Sequence, residues 1–386
     1  MHIILMIAGA AAVYLLLKRF YIKYWKSDLK MAIKFSVPDA VCGDTFELVE
    51  VVSNEKRLPL PFIHLKFQAS SSLVFKDGSE NSRITDATYR DDVFSLLMNQ
   101  RITRRIPVTC NQRGVYSVNN VEMIFTGLFM DDICVYKADN TASVTIYPDP
   151  YFSDDVDVLY SRVLGLAERN SLINPDPFAF RQIREYDTSD PMNTINWKAS
   201  ARTGELMVNQ FNETTCQQAY ILLNLEPEGM LVYERLGEAS ISIAAGVAET
   251  LLESGISVGL ISNGVDYETK QPVIVYPQGE QEHIKDVDTA LAHINIACGQ
   301  ENFMEFIKER TDNYNRTLFD DDGSNSAMYI IISQNIRREL QMELNNLIGN
   351  QSQAVFIAPH FKDKEVVLDE FVGNAVEWEV SHNAKG

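Results

Sequence analysis

AYILLNL, residues 219–225, decides the architecture of the larger part of the chain. This nearly unbroken apolar run is typical of a parallel strand that is buried on both faces. The segment that follows, YERLGEASISIAAGVAETLLESG at residues 233–255, predicts a long amphipathic helix that Gly255 ends. A buried strand followed directly by such a helix indicates a parallel sheet covered by helices.

The same alternation continues towards the C-terminus. Further strands are predicted at 256–262, 272–276, 327–333 and 353–358, and further helices near 284–297, 301–311 and 335–349. We therefore predict a doubly wound α/β domain over residues 216–386. Ligands of such domains bind at the carboxyl ends of the strands, where the polar stretches are Asn224–Glu228, Ser262–Asp266 and Ser333–Asn335.

The region before it has the character of a β-domain. Apolar and polar residues alternate between residues 33 and 70, and again near 102–109, 114–125 and 142–147. Pro59 and Pro61 fit an edge strand or the start of a strand. Without a convincing helix in between, this pattern predicts a β-sandwich over residues 28–150.

The N-terminus carries an apolar segment, IILMIAGAAAVYLLL at residues 3–17. A membrane span needs about 20 residues, and Phe20, Tyr21 and Ile22 extend the run. A signal peptide and a buried core helix are the alternatives, but a signal peptide would carry positive charge before the run. We predict that residues 1–27 are a single-pass membrane anchor that ends in a group of lysine and arginine residues. Because these basic residues follow the apolar segment, the positive-inside rule places the rest of the chain in the cytoplasm.

The composition of the chain and the absence of common sequence motifs exclude several classes of function. The formal net charge is −19, which argues against a nucleic-acid partner. The five cysteines are scattered without a CxxC pair, so we expect neither a disulfide framework nor a zinc site. The chain has no phosphate loop, dinucleotide-binding turn, HExxH or GxSxG motif. We therefore expect no enzymatic activity and no cofactor.

Residues 151–215 are predicted to connect the two domains, and they include REYDTSDPMNTINWKASARTGELMV at 184–208. Asp190 and Pro191 predict the start of a helix, and Gly204 predicts its end. One interpretation is a binding site formed by Arg184, Asp190, Trp197, Ser200 and Arg202. The favoured one is a structural joint with an Arg184–Asp190 ion pair and a buried Trp197. A hydrolase that uses Arg184, Asp190 and Ser200 is a third hypothesis.

This segment resembles the domain-of-unknown-function 58 family. The resemblance is carried by Phe178 and Phe180, Arg184 and Tyr186, Asp190, Ile195 and Trp197, and Ser200, Ala201 and Arg202. Ser189 and Asn193 stand where glycine and arginine are usual, and the loss of that arginine weakens the inference that the segment binds an anion or an acidic partner surface. The resemblance implies an anchor, a β-rich domain and a von Willebrand factor A-like α/β domain.

The resemblance also implies a function. Members of the family are similar to partners of MoxR-type AAA+ ATPases, so we expect a membrane-anchored scaffold that acts with such an ATPase in assembly or cell-envelope processes. Von Willebrand factor A domains often bind a divalent cation through a D-x-S-x-S motif, where this chain has Asn224, Glu226 and Glu228. These three are weak metal candidates. A cation-dependent protein binder that uses an atypical site is therefore the alternative function.

Overall fold

A computed structural model describes the chain outside residues 1, 77–81, 85–86, 128–132, 139–140, 152–155, 174, 188–191, 193–194, 214–217, 230–232, 297–301, 314–326, 349–353, 364–367, 369–373 and 381–386. The chain divides into two compact units, Met1–Pro148 and Asp149–Gly386. The first unit contains one helix and a β-sandwich. The second contains a two-stranded sheet and a larger α/β sheet.

Helix α1 spans His2–Tyr24 and is long and apolar enough to cross a membrane. Its 23 residues correspond to a length of about 35 Å, and most of its apolar side chains are exposed. Its end differs, because Tyr21 and the following Trp25 are buried in the core of the sandwich. Their rings stack on Phe125 with centroid distances of 6.1 and 5.7 Å. The segment predicted as an anchor therefore contributes two residues to the sandwich core.

The sandwich consists of two β-sheets that share one core. Its strands are β1 (Leu29–Phe35), β2 (Asp39–Val41), β3 (Thr45–Asn54), β4 (Leu60–Ser70), β5 (Leu73–Phe75), β6 (Ser82–Ile84), β7 (Ala87–Leu96), β8 (Gln100–Cys110), β9 (Gly114–Thr126), β10 (Ile133–Lys137) and β11 (Ala142–Tyr147). One sheet has the order β1-β3-β8-β5. The other has the order β2-β11-β9-β4-β7-β6, with β10 also paired to β9. Pro61 lies in β4 where its pairing with β7 shifts register, as expected for a residue without a backbone donor.

Four charged residues form what we call the ionic cluster: Glu50, Arg90 and Asp92, which are buried in the sandwich, and Arg104, whose side chain is 37% exposed. Glu50 and Arg104 face each other on β3 and β8, and the other two lie on β7 of the opposite sheet. Asp92 accepts from Arg90 Nε at 3.0 Å and from Arg104 Nη1 at 2.7 Å. Burial first, and then the Asp92 carboxylate, raise the pKa of Glu50 to about 8. A protonated Glu50 can donate to Asp92, and no described residue donates a hydrogen bond to either of its oxygens.

The second unit is built on a sheet with helices on both faces. Its elements after residue 150 are α2 (Val156–Ile173), β12 (Pro175–Glu185), α3 (Trp197–Thr203), β13 (Met207–Glu213), β14 (Gln218–Asn224), α4 (Glu234–Glu253), β15 (Ser257–Asp266), β16 (Pro272–Gln278), α5 (His283–His293), β17 (Ile294–Asn295), α6 (Phe303–Asn313), β18 (Ala327–Ser333), α7 (Arg338–Ile348), β19 (Ala354–Phe361) and β20 (Asn374–Val380). The order of the large sheet is β16-β15-β14-β18-β19-β20. All neighbours are parallel except β16, which pairs antiparallel with β15.

Alternate residues of β14 point to opposite faces of this sheet. Ile221 and Leu223 contact the core under α2, α4 and α5, and Leu222 contacts the core under α6 and α7. Strand β14 is therefore covered on both faces, as its nearly unbroken apolar sequence predicts. Helix α2 lies within the segment predicted as a connector, and Tyr160 on it packs directly over Gly246 of α4.

Two elements of the second unit, a helix end and a strand, differ from the sequence prediction. The helix predicted at 284–297 ends at His293, because Ile294 and Asn295 pair with β15 as β17. Strand β20 was not predicted. Its Val376 and Val380 are buried, two residues before and two residues after a half-buried Trp378, which is the period of a strand with one covered face.

Candidate functional site

The segment that carries the family-like residues forms a small module. We call β12, α3 and β13 the signature module. β12 and β13 pair antiparallel as a separate two-stranded sheet, and Arg184 lies opposite Val208. Tyr186 continues the pairing, since its backbone N–H donates to Leu206 O at 2.9 Å. The predicted partner of Arg184, Asp190, lies outside the described residues, and Arg184 Nη1 donates to Glu185 O at 3.0 Å.

Asp190 and Pro191, where the sequence predicts the helix to start, lie outside the described residues. Helix α3 begins at Trp197, and its N-cap is Asn196, whose Oδ1 accepts from the N–H of Ala199 at 2.9 Å. The helix cannot begin earlier because Ile195 forms a β-bridge with Val208 and is buried there. Gly204 ends the helix in the left-handed conformation, at φ 83°, as the sequence predicts.

Ser200 joins the helix to the sheet. Its Oγ donates to Asn196 O at 2.9 Å and accepts from the N–H of Met207 at 2.9 Å. Neither contact is a base that could remove the hydroxyl proton, as a nucleophilic serine needs. The local geometry therefore gives a structural role to Ser200 and offers no support to the hydrolase hypothesis.

The expectation that Trp197 is a buried packing residue is wrong. Its side chain is 66% exposed, and no residue of α3 is buried. Arg202 is exposed on the last turn of the same helix, where its charge suits the negative end of the helix dipole. The module thus presents a tryptophan to solvent, and two apolar residues of the adjoining loops, Met192 and Leu206, are also exposed.

A second group of polar residues lies at the carboxyl ends of β14, β15 and β18. Asn224 Nδ2 donates to Ser333 Oγ at 3.0 Å. Its Oδ1 accepts from Asn263 Nδ2 at 3.2 Å and from the N–H of Glu226 at 2.9 Å. Both ends of the Asn224 amide are therefore bound within the protein, and the residue is fully buried.

Glu226 is engaged by an arginine. Its Oε1 accepts from Arg337 Nη2 at 2.8 Å, and its Oε2 accepts from the N–H of Phe303, the first residue of α6, at 3.3 Å. Arg337 Nε also donates to Asn335 Oδ1 at 3.1 Å. Nothing in the sequence pattern singles out Arg337, which becomes adjacent to Glu226 only when β14 and β18 pair.

These residues do not fit a divalent cation. The oxygens of Asn224 and Glu226 already accept hydrogen bonds, a guanidinium supplies the positive charge beside Glu226, and Glu228 is one half-buried carboxylate. Magnesium and calcium need several oxygens that are free to bind them. Within the described part of the chain, no group of three His, Cys, Asp or Glu residues is arranged to hold a metal.

Residues 182–355 match the sequence profile of the family described as "Protein of unknown function DUF58". The chain therefore contains a region similar to the DUF58 family, and this region covers less than half of its 386 residues. The matched region begins in β12 of the signature module and extends to β19. Both groups of residues described above therefore lie in the DUF58 region.

One curated protein and two solved structures show further similarities to the chain. The chain is 26% identical over 117 residues to "Uncharacterized protein YeaD" of Bacillus subtilis (strain 168), which is 30% of this chain and 27% of that protein. A non-cellulosomal cohesin from Archaeoglobus fulgidus aligns at 13% identity and a TM-score of 0.22, over 30% of this chain and 91% of that chain. The CARDB domain of a Pyrococcus furiosus protein aligns at 14% identity and a TM-score of 0.20, over 31% and 93%.

Proposed function

We propose that the protein is a membrane-anchored scaffold that binds a protein partner through the signature module. The observation that carries the proposal is Trp197, a large aromatic residue that is 66% exposed on a helix without a buried residue. Tryptophan is among the residues that contribute most to binding at protein interfaces. Exposing it together with Met192 and Leu206 costs solubility unless a partner covers them.

The proposed partner is a MoxR-type AAA+ ATPase, and the proposed processes are assembly or cell-envelope functions. This partner follows from the family resemblance. Helix α1 supports the membrane-anchored part of the proposal, because residues 3–17 are uncharged and apolar and most of their side chains are exposed. The lysines and arginine after the apolar run support a cytoplasmic body under the positive-inside rule.

A von Willebrand factor A-like fold is proposed for the α/β sheet. Its six main strands, numbered along the chain, have the order 3-2-1-4-5-6, which is an order of doubly wound domains. The residues at the strand ends favour partner binding without a cation, because Arg337 ion-pairs with Glu226 where the D-x-S-x-S resemblance would place a metal. This geometry gives no support to the alternative, a cation-dependent binder.

Binding of the purified ATPase to the full chain in nanodiscs tests the proposal. Trp197→Ala is expected to weaken binding by at least about tenfold, which corresponds to about 1.4 kcal/mol of binding free energy. A tryptophan at the centre of an interface typically contributes more than this. Tyr276→Ala is the matched control, since Tyr276 is a 59% exposed aromatic residue of the same unit on β16. Equal binding by wild type and Trp197→Ala, or an equal loss in Tyr276→Ala, refutes the role of the module.

A further inference from the structure

The sandwich has a groove of about 620 Å³ at one edge, between β1 of one sheet and β10 of the other. It begins close to the end of α1. Met123 lines the groove two residues before Phe125, on which Tyr21 and Trp25 stack. Glu55 also lines it, and the N–H of Glu55 donates to Asp28 O at 2.9 Å. The groove and the helix end are therefore parts of one packed structure.

A row of polar residues crosses the groove. Lys30, Ser53 and Arg101 are direct neighbours on β1, β3 and β8, and all three line the groove. Adjacent strands are about 4.8 Å apart, so the two cations flank the serine hydroxyl with backbones about 10 Å apart. This arrangement of two positive charges and a hydroxyl suits a phosphate group.

The cations of this row are accessible. Lys30 Nζ pairs with Glu55 Oε2 at 2.7 Å, but both side chains are largely exposed, and such surface pairs exchange partners at little cost. The exposed Arg101 guanidinium makes no ion pair or hydrogen bond with the residues that the structure describes. An anion can therefore bind Arg101 without displacing another group.

The remaining lining is apolar, which restricts the class of ligand. Ala32 and its neighbour Val51 lie on the same face as the polar row, whereas Leu29 and Met31 line the groove from the core-facing side of β1. Beside the groove, β10 exposes Val135 and Ile133, the latter 74% exposed. Ile133 is next to Cys134, which lies opposite Phe125, so this apolar edge adjoins the end of the proposed membrane span. A ligand with both a phosphate and an apolar part, supplied by the membrane surface, fits these features.

We propose that this groove binds the headgroup of an anionic phospholipid, with the phosphate on Lys30, Ser53 and Arg101. The inference rests on the membrane anchoring in the proposed function. A bound lipid would add a second membrane contact beside α1.

Native mass spectrometry of the full chain in detergent, mixed with phosphatidylglycerol and phosphatidylcholine, tests the site. Wild type is expected to retain one phosphatidylglycerol at least about tenfold more strongly than phosphatidylcholine, and Arg101→Glu to lose this preference. Ala32→Glu, at an exposed position of the groove, is expected to act similarly by repelling the phosphate. Arg105→Glu makes the same charge change on the same strand but outside the groove, where Arg105 pairs with Glu47 at 3.0 Å, and is expected to keep the preference.

Three outcomes overturn the inference. The first is a wild type that does not prefer phosphatidylglycerol over phosphatidylcholine. The second is an equal loss of this preference in Arg105→Glu. The third is release of the lipid by excess inorganic phosphate, which would indicate a site for free phosphate. Fractionation of cells separates these results from failure of the anchor. Wild type and Arg101→Glu are both expected in the alkali-resistant membrane fraction. A wild type that is absent from this fraction refutes the anchor and the lipid site together, whereas a membrane-bound wild type without lipid preference refutes the site alone.

Discussion

Replacing Glu50 by glutamine is expected to stabilise the sandwich in a pH-dependent way. Glu50 is fully buried on β3 within the ionic cluster. Its pKa is raised from 4.5 to about 8, by burial first and by the Asp92 carboxylate second, and the two nearby arginines only partly oppose this. Glutamine keeps the shape and can still donate to Asp92, but it has no proton to lose.

The direction of the effect follows from proton binding. Between pH 4.5 and about 8 the folded protein holds the Glu50 proton, and the unfolded chain releases it. Stability therefore falls as pH rises through this window, by about 1.4 kcal/mol per pH unit at most. The Glu50→Gln variant lacks this contribution. Near pH 5 we expect the variant and wild type to have similar free energies of unfolding. The variant's advantage over wild type is expected to be larger at pH 8 than at pH 6, by roughly 2–3 kcal/mol.

The assay needs a signal from the sandwich alone. Trp25 is buried in its core, whereas Trp197 and Trp378 belong to the second unit. Urea unfolding of the full chain in detergent, with both of the latter replaced by phenylalanine, is therefore followed by Trp25 fluorescence. Glu47→Gln is the matched control, since Glu47 is on the same strand in an exposed pair with Arg105. Parallel pH profiles for wild type and Glu50→Gln would refute the buried-proton reasoning.

The remaining predictions concern the second unit. Gly246→Ala is expected to destabilise it by about 2 kcal/mol or more, because the added Cβ would lie 2.1 Å from the Tyr160 ring. Gly165→Ala on α2, where the added Cβ meets nothing within 4 Å, should instead stabilise it by about 0.5–1 kcal/mol, and hydrogen exchange of α4 and α2 measures both. Calorimetric titration of the full chain with Mg²⁺, Ca²⁺ and Mn²⁺ should be flat, because Arg337 pairs with Glu226. A saturable heat that Glu226→Gln abolishes would contradict this assignment.

The α/β sheet was predictable because its signals are local and strong. The strand at 219–225 is apolar at nearly every position, and the following helix has buried residues from Leu236 to Leu252. Strand β7 gave the opposite signal. Arg90 and Asp92 point into the core while Tyr89 and Val93 are exposed, since the two charges pair with each other. An alternation rule places charges outside and cannot anticipate this pairing.

Local sequence patterns also fail to predict part of the signature module. Asp190 and Pro191 are a good local start for a helix, but a β-bridge between Ile195 and Val208 delays the helix to Trp197. That bridge joins residues on different elements, so a local capping pattern does not reveal it. The exposure of Trp197 follows from the same shift, because it places this residue on the first turn of a short helix with no covered face. The Glu226–Arg337 pair likewise depends on two strands that are distant in sequence.

The stacking of Tyr21 and Trp25 on Phe125 also has a consequence for biosynthesis. These two aromatic residues leave the ribosome before any strand of the sandwich, and Phe125 follows on the order of ten seconds later at ordinary elongation rates. During that interval α1 can enter the bilayer while the aromatic residues at its end still lack their partner. Completion of the sandwich core then fixes the end of this helix. Under the proposed membrane anchoring, insertion of α1 would therefore precede folding of the sandwich, because of the position of a few aromatic residues.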